Sequence, residues 1–596
     1  MLPPDLTRWT LNEETRNILF FAQLIEELLF NYSLDIYKVA AFNTKILCKE
    51  LLEITDATDY PVFAVSDIQP VIEELILEIQ EDPVVAEVSP TLKGQLIELL
   101  SGFPGKDELR PLIHQLYGFF EMNYIERIGD LLKEKIIRGE REAVVKMTKV
   151  FLTELIDIGY SPEYIFFENK SFFFEGESGP KIDQFAVLDD FLRNFSSIPK
   201  IWYVVFRTGK DFKYFKNFPV HMNIATATEK PDIAFPAEDK NISIFLDRNF
   251  KLSQYLTFVD IEAFDGFSAR QIAEQKLLMI EKFAKFHVHR TELEWSRAAL
   301  VYDLERSNCG IFGKPVSPIL KRPDHGIGQL PRLLNNTIVT VFSDKLDDDS
   351  IQRLLRAFQR HDMAINSPAP ESQLLELWSA VEALFPSAQQ QDPDSGGIVA
   401  RLSHYAAKGY AAKISADLVK SIRNAESQAA MEILDSIPEG HNIIEKCLML
   451  VAIDANREQR ERLFRSLGDH ILLIERIKAL NQAFCSAASF RQTLHTYSVS
   501  TCWQIKRIRR ALVILRDSGK AVISVNKLVE NLHSYLDRVV DVLLEEISRK
   551  KEATCLADIH REISEKAVAH LETLERRKHE GTTPQNFRFI FFGNNN

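Results

Sequence analysis

The chain has 596 residues, of which 45% are hydrophobic and 26% are charged, and its formal net charge at pH 7 is −13. The composition is that of an ordinary globular protein, long enough for about two to four domains. The negative charge excludes a protein that coats nucleic acid with its whole surface, so any contact with RNA should be local.

The spacing of the cysteines and the length of the apolar runs indicate where in the cell the protein is expected. Six cysteines are scattered without a Cys-x-x-Cys pair, which predicts reduced thiols rather than a zinc site or a disulfide framework. The first residues lack the basic and apolar segments of a secretion signal. No apolar run approaches the about 18–20 residues that span a bilayer. We therefore expect a soluble, cytoplasmic protein with no membrane partner.

The pattern of apolar residues predicts a mainly α protein with a central α/β region. Residues 1–165 should form a helical N-terminal region, since apolar side chains recur at helical spacing around positions 18–29 and 72–79. Helix breaks are expected at 55–61 and 102–106, where Gly or Pro occurs.

Residues 166–345 should form a mixed α/β region. Aromatic and β-branched residues at 201–206, 242–246 and 337–342 predict three strands, and a helix is expected near 268–286.

Residues 346–580 should form a helical domain, followed by a tail at 581–596. Ser350 is the expected N-cap of its first helix, the polar segment 386–397 is an expected flexible loop, and an amphipathic stripe runs from Leu528 to Ile547.

The segment 502–519 is the most informative part of this domain. On a helix, Ile505, Ile508, Leu512 and Leu515 share one apolar face. The cationic side chains lie on the opposite half: Lys506, Arg507, Arg509, Arg510 and Arg516. Such a helix in an acidic protein suggests a site for a polyanion, and the alternative is a solvated face balanced by neighbouring carboxylates.

This segment resembles the signature helix of the Apea-like HEPN family, in which a pattern close to R-I-Y-R-x-R-N-x-I-V-H-x-G recurs. The residues that agree with it are Arg507, Ile508, Arg510, Leu515, Ser518 and Gly519. A second segment, 370–385, is similar to the family's first helix, L-x-x-L-W-x-A-L-E-x-L-F, through Trp378, Ala380 and Glu382. The resemblance covers about residues 345–550 and implies an HEPN-like helical domain.

Active members of this family cut RNA without a metal, through the ribose 2′-hydroxyl. Their catalytic Arg, Asn and His would fall on Leu512, Val513 and Asp517, and no histidine stands between His495 and His533. The motif is therefore degenerate. The Arg-then-four-residues-then-His spacing recurs at 356–361 and 465–470, but it places the two side chains about 140° apart on a helix, so neither pair is expected to be catalytic.

The resemblance and the residue chemistry give a set of candidate site residues. The catalytic candidates are Arg509, Arg510, Asp517 and Glu382. The candidates for RNA binding are Lys506, Arg507, Arg509, Arg510 and Arg516. Arginine suits phosphate oxygens because its planar fork donates to two oxygens at once. No cofactor and no metal site are predicted.

Three functions follow from these observations. The first is an HEPN-family protein of prokaryotic antiphage defence with a degenerate catalytic motif that binds RNA or senses a phage component, alone or with a partner. The second is an active, metal-independent, toxin-like endoribonuclease with an unusual site. The third is a helical scaffold that binds an acidic protein. The expected partners are RNA, a second copy or a related HEPN protein in a dimer, and a phage component as trigger.

Overall fold

The computed structural model describes most of the chain. The described residues are 5–30, 42–56, 65–82, 84–85, 90–103, 105–121, 124–175, 179–214, 222–227, 240–247, 252, 254–289, 293–303, 309–317, 320, 330–385, 396–438, 440–518 and 524–593. The structure is 73% helical with a small antiparallel sheet, which confirms the predicted class, mainly α with a central α/β region.

The first part of the chain is helical. Its helices are α1 (Glu13–Phe30), α2 (Thr44–Asp56), α3 (Val65–Glu81), α4 (Pro90–Ser101), α5 (Lys106–Glu121), α6 (Tyr124–Ile137), α7 (Arg141–Ile158), α8 (Pro162–Phe173) and α9 (Val187–Leu192). The break expected at 102–106 falls between α4 and α5, whereas most of the break at 55–61 lies outside the described residues. The core of these helices continues through Phe195, beyond the boundary expected at 165.

A five-stranded sheet follows. Its strands are β1 (Lys200–Thr208), β2 (Ile224–Ala227), β3 (Gln254–Ala263), β4 (Trp295–Asp303) and β5 (Cys309–Phe312), and the order β2-β3-β1-β4-β5 is antiparallel throughout. Helix α11 (Gly266–His287) covers one face of the sheet and α10 (Lys240–Asp247) packs on the other. The strand predicted at 201–206 and the helix predicted near 268–286 are therefore found.

Two of the predicted strands are helices. The run 242–246 lies in α10, where Ile242 and Leu246, four residues apart, are both buried. The run 337–342 falls in and just after α12 (Leu330–Val341). Both predictions were wrong because a short apolar run rich in β-branched residues does not reveal its period, and tertiary packing overrides its strand propensity.

The remainder of the chain is helical. Its helices are α13 (Asp348–Asn366), α14 (Pro370–Leu384), α15 (Gly396–Ala407), α16 (Tyr410–Asn424), α17 (Gln428–Asp435), α18 (Ile443–Ala452), α19 (Arg457–Leu467), α20 (Ile471–Phe484), α21 (Ala487–Ser518), α22 (Val525–Arg549), α23 (Leu556–Arg576) and α24 (Phe587–Phe592). The residues 386–395 of the predicted loop lie outside the described part of the chain.

These helices build two cores. One core joins α13, α14 and α15 to the C-terminal half of α21 and to α22 and α23, and it contains both Trp378 and Ile508. The other core is formed by residues 406–497, which lie between the two family-like segments, together with Leu574 and α24. In the described part of the predicted tail at 581–596, Phe587, Ile590 and Phe591 are buried in this second core.

The N-terminal helices are attached to the C-terminal ones through α20. Gln23 on α1 donates to the carbonyl oxygen of Asp469 at 2.9 Å, and Arg476 Nε donates to Glu27 Oε1 at 3.1 Å. Leu472 belongs to the N-terminal core. Since Glu27 and Arg476 are buried, this contact is an integral part of the fold.

The N-cap of α13 is Asp347 and not Ser350, which corrects the prediction. The Asp347 carboxylate accepts from the backbone N–H of Ser350 at 2.9 Å. The Ser350 hydroxyl is buried and accepts instead from the backbone N–H of Leu556, at the start of α23. Of the three aspartates that precede Ser350, the first is in position to cap the helix, and the serine hydroxyl instead makes a tertiary contact.

Asp347→Ala is expected to lower the free energy of unfolding by about 1 kcal/mol, the usual contribution of a capping carboxylate. Urea unfolding measures the change. Asp348→Ala on the first turn is the matched control and should have a smaller effect, and equal effects of the two variants would contradict the assignment of the cap.

No helix in the described ranges is both long enough and apolar enough to cross a membrane.

Candidate functional site

The site is built around the C-terminal half of α21, which carries the family-like motif. Its apolar face packs as predicted, since Ile505, Ile508 and Leu512 are buried in the core with α14 and α22, and Leu515 packs against it. This packing fixes the rotation of the helix and therefore the direction in which its cations point.

Two of the five cations point into the protein rather than into solvent. Arg507 Nε donates to Glu50 Oε2 at 2.9 Å, and Arg507 Nη2 donates to Glu74 Oε2 at 2.7 Å. Arg510 Nη2 donates to the other oxygen of Glu50 at 2.6 Å. The side chains of both arginines are only 4% exposed. The expected solvent-facing cationic surface is therefore not present at these two positions.

The carboxylates come from the N-terminal region. Glu50 lies on α2 and Glu74 on α3, and the guanidinium of Arg507 also lies over the ring of Phe42, 4.1 Å from its centroid. Burial by itself raises the pKa of Glu50, but Arg507 and Arg510 outweigh it and hold the pKa below its ordinary value. Burial likewise lowers the pKa of Arg507, and the two carboxylates outweigh this, so that its pKa is raised. Glu50 and Arg507 are thus both charged at neutral pH.

A small cleft of about 30 Å³ lies beside these ion pairs. Its lining residues come from α2, α21, α22 and the segment before α2: Phe42, Ile46, Glu50, Glu53, Ile54, Arg507, Arg510, Ala511, Ile514 and Leu528. Arg507 Nη1 is buried and has no hydrogen-bond partner in the described structure. A buried cationic N–H without an acceptor costs folding free energy, so a hydrogen-bond acceptor bound beside Arg507 would be stabilising.

The other candidate residues differ in exposure. Lys506 and Arg509 are half-buried, and Arg516 is exposed. Asp517 lies in the last turn of α21, but its side chain is outside the described part. At the positions of the family's catalytic Arg and Asn, Leu512 is buried in the core and Val513 is half-buried, and neither side chain can donate or accept a hydrogen bond.

Glu382 has a structural partner on its own helix. Its Oε1 accepts from the indole Nε1 of Trp378 at 2.6 Å. This contact accounts physically for the spacing of Trp and Glu in the family-like segment, because side chains four residues apart lie on the same face of a helix.

The residues that sequence analysis missed are Glu50 and Glu74. They stand 457 and 433 positions from Arg507, in helices whose sequences show only amphipathic spacing. One sequence feature could have pointed to them: each glutamate lies on a helix face that is otherwise rich in apolar residues. Since glutamates are rarely buried unless they are paired, such a position indicates a buried ion pair.

No family model, curated protein or solved structure matches this chain.

Proposed function

We propose that this protein is an HEPN-like protein of prokaryotic antiphage defence that binds or senses RNA through helix α21. We further propose that its N-terminal region covers the RNA-binding residues of α21 in a closed state. The ion pairs of Arg507 and Arg510 with Glu50 and Glu74 carry this proposal. In the closed state, carboxylates from α2 and α3 take the places that RNA phosphates take in the open state.

The chemistry of the arginines supports this assignment. A guanidinium donates to the oxygens of a carboxylate or of a phosphate in the same forked geometry. Glu50 offers one oxygen to each arginine, as a phosphate between two arginines would. Arg507 lines the cleft, and its Nη1, which has no hydrogen-bond partner among the described residues, provides a further donor for an anion that carries more acceptor oxygens than a carboxylate.

The closed state requires a trigger. A phage component or a partner protein that binds the N-terminal helices and draws α2 and α3 away from α21 would uncover Arg507 and Arg510. In this proposal Lys506, Arg509 and Arg516 extend the phosphate-binding surface along the same helix, and a second copy or a related HEPN protein completes the assembly. The protein acts in the cytoplasm as an RNA-binding module and depends on its partner for any cleavage.

Replacing both carboxylates tests the proposal. The variant Glu50→Gln/Glu74→Gln keeps the side-chain shapes but removes the competing charge, so it should bind labelled single-stranded RNA roughly tenfold more tightly than wild type, which corresponds to about 1.4 kcal/mol. Two added phosphate contacts should also steepen the dependence of log K on log salt concentration by about 1.4, at about 0.7 per contact. Fluorescence anisotropy across a salt series measures both quantities.

Two controls make the result specific. Glu81→Gln changes an exposed carboxylate at the end of α3 that pairs with Lys146, and it should leave RNA binding unchanged. Adding Arg507→Ala and Arg510→Ala to the double variant should remove the gain. If the double variant stays folded by circular dichroism and its RNA affinity and salt dependence match those of wild type, the proposal is wrong.

A second candidate function is the scaffold that binds an acidic partner, and the same ion pairs favour it, because the cationic helix already binds acidic helices of its own chain. Under this alternative the arginines serve only to dock the N-terminal region. The double variant would then loosen that docking, seen as faster proteolysis of residues 1–195, without any gain in RNA binding.

A further inference from the structure

A histidine pair lies in the C-terminal core region, apart from the motif helix. His361 on α13 and His533 on α22 place their Nε2 atoms 2.9 Å apart, with the two rings stacked 5.0 Å between centroids. Asp537, one turn after His533, has its Oδ1 3.5 Å from His533 Nε2. The three ligand atoms all lie within 4.8 Å of one another.

We infer that His361, His533 and Asp537 form a binding site for a divalent transition-metal ion such as Zn²⁺. Two imidazoles and one carboxylate are a donor set that such ions prefer. The residues converge from two helices, since His533 and Asp537 share one face of α22 at a spacing of four and His361 reaches them from α13.

The distances fit metal coordination. With bonds of about 2.0–2.1 Å to each imidazole, a separation of 2.9 Å between the nitrogens corresponds to an angle of about 90° at the metal. By the same geometry, the separation of 3.5 Å from His533 Nε2 to Asp537 Oδ1 corresponds to about 117°. Both angles lie in the range found in four- to six-coordinate sites.

The surroundings leave the site within reach of an ion. The side chain of His533 is 12% exposed and that of Asp537 is 32% exposed, so neither is sealed in the core. Arg538 follows Asp537 in the chain, and its guanidinium donates to the carbonyl oxygen of Lys408. Three protein ligands leave at least one coordination position for water or a substrate atom, as in catalytic rather than structural zinc sites.

Metal binding by full-length protein tests the inference. After EDTA treatment and dialysis, isothermal titration with ZnCl₂ should give one site per chain, and Co²⁺ should give the visible absorption bands of a coordinated ion. Zn²⁺ should also raise the melting temperature, because an ion that binds only the folded state stabilises it.

Ligand variants make the assignment specific. The double variant His361→Ala/His533→Ala should lose the site, and Asp537→Asn, which keeps the side-chain shape, should weaken Zn²⁺ binding by more than about tenfold. His441→Ala, at an exposed histidine, is the matched control and should bind like wild type. If the double histidine variant fails to fold, Asp537→Asn alone carries the test. Wild-type protein that binds no Zn²⁺ or Co²⁺, or unchanged binding in a folded ligand variant, would overturn the inference.

Discussion

Arg507→Ala is expected to lower the free energy of unfolding by about 3–5 kcal/mol. It removes the cation that joins the carboxylates of Glu50 and Glu74, and a buried charge that loses its partner costs several times more than a surface ion pair gains. Urea unfolding followed by circular dichroism measures the change. Arg516→Ala, at an exposed cation of the same helix, should change the stability little.

A compensated variant separates the charge effect from lost packing. In Arg507→Met with Glu74→Gln, Glu50 keeps its ion pair with Arg510 and the charge of Glu74 is removed together with that of its partner, so much of the lost stability should return. A loss below about 1 kcal/mol in Arg507→Ala would show that the network contributes no more than an exposed pair.

Acid is expected to destabilise the protein through His560. This histidine is 1% exposed and hydrogen-bonded on both ring nitrogens. Its Nε2 donates to the carbonyl oxygen of Leu384 at 2.7 Å, so its Nδ1 must accept from the hydroxyl of Tyr405, 2.6 Å away. Burial lowers the pKa of His560 to about 4. The neutral ring is thus the form that the fold requires.

The sign of the pH dependence follows from this shift. Between its ordinary value of 6.5 and about 4, the unfolded state binds a proton at His560 and the folded state does not, so stability falls as the pH falls through this range. The full loss is about 3.5 kcal/mol at most, at about 1.4 kcal/mol per unit of pKa. His560→Asn should be less stable at every pH but should lack this part of the slope.

The free energy of unfolding is measured from pH 7 to 4 for wild type and for His560→Asn. The difference between the two profiles gives the slope that is due to His560, because the contribution of the carboxylates is common to both proteins and cancels. His495→Asn, at an exposed histidine, should retain the slope of wild type. Parallel profiles for wild type and His560→Asn would contradict a neutral buried imidazole.

The sequence predicted those parts of the fold that are encoded locally. The spacing of Ile505, Ile508 and Leu512 identified the buried face of α21, because a helix of regular period needs only its own residues to define a face. The same spacing identified the helix that contains Trp378, and the structure places Trp378 and Ile508 in one core.

What the sequence did not predict depends on contacts between distant segments. Periodicity shows that Arg507 lies opposite the apolar face, but not that two glutamates more than 400 positions away cover it. His361 and His533 are 172 positions apart, and no spacing rule links them. For the run 337–342, local residue preference pointed to a strand and tertiary packing decided otherwise.

The ion pairs between the two ends of the chain also determine when the protein can finish folding. Glu74 leaves the ribosome long before Arg507, which is 433 positions later. At about 5–20 residues per second, synthesis of the intervening segment takes roughly 20–90 s. During that time Glu50 and Glu74 lack the arginines that make their burial tolerable, so α2 and α3 must keep these carboxylates in water. The N-terminal helices therefore reach their final packing only after translation has passed α21, and a nascent chain truncated before that point cannot form these ion pairs.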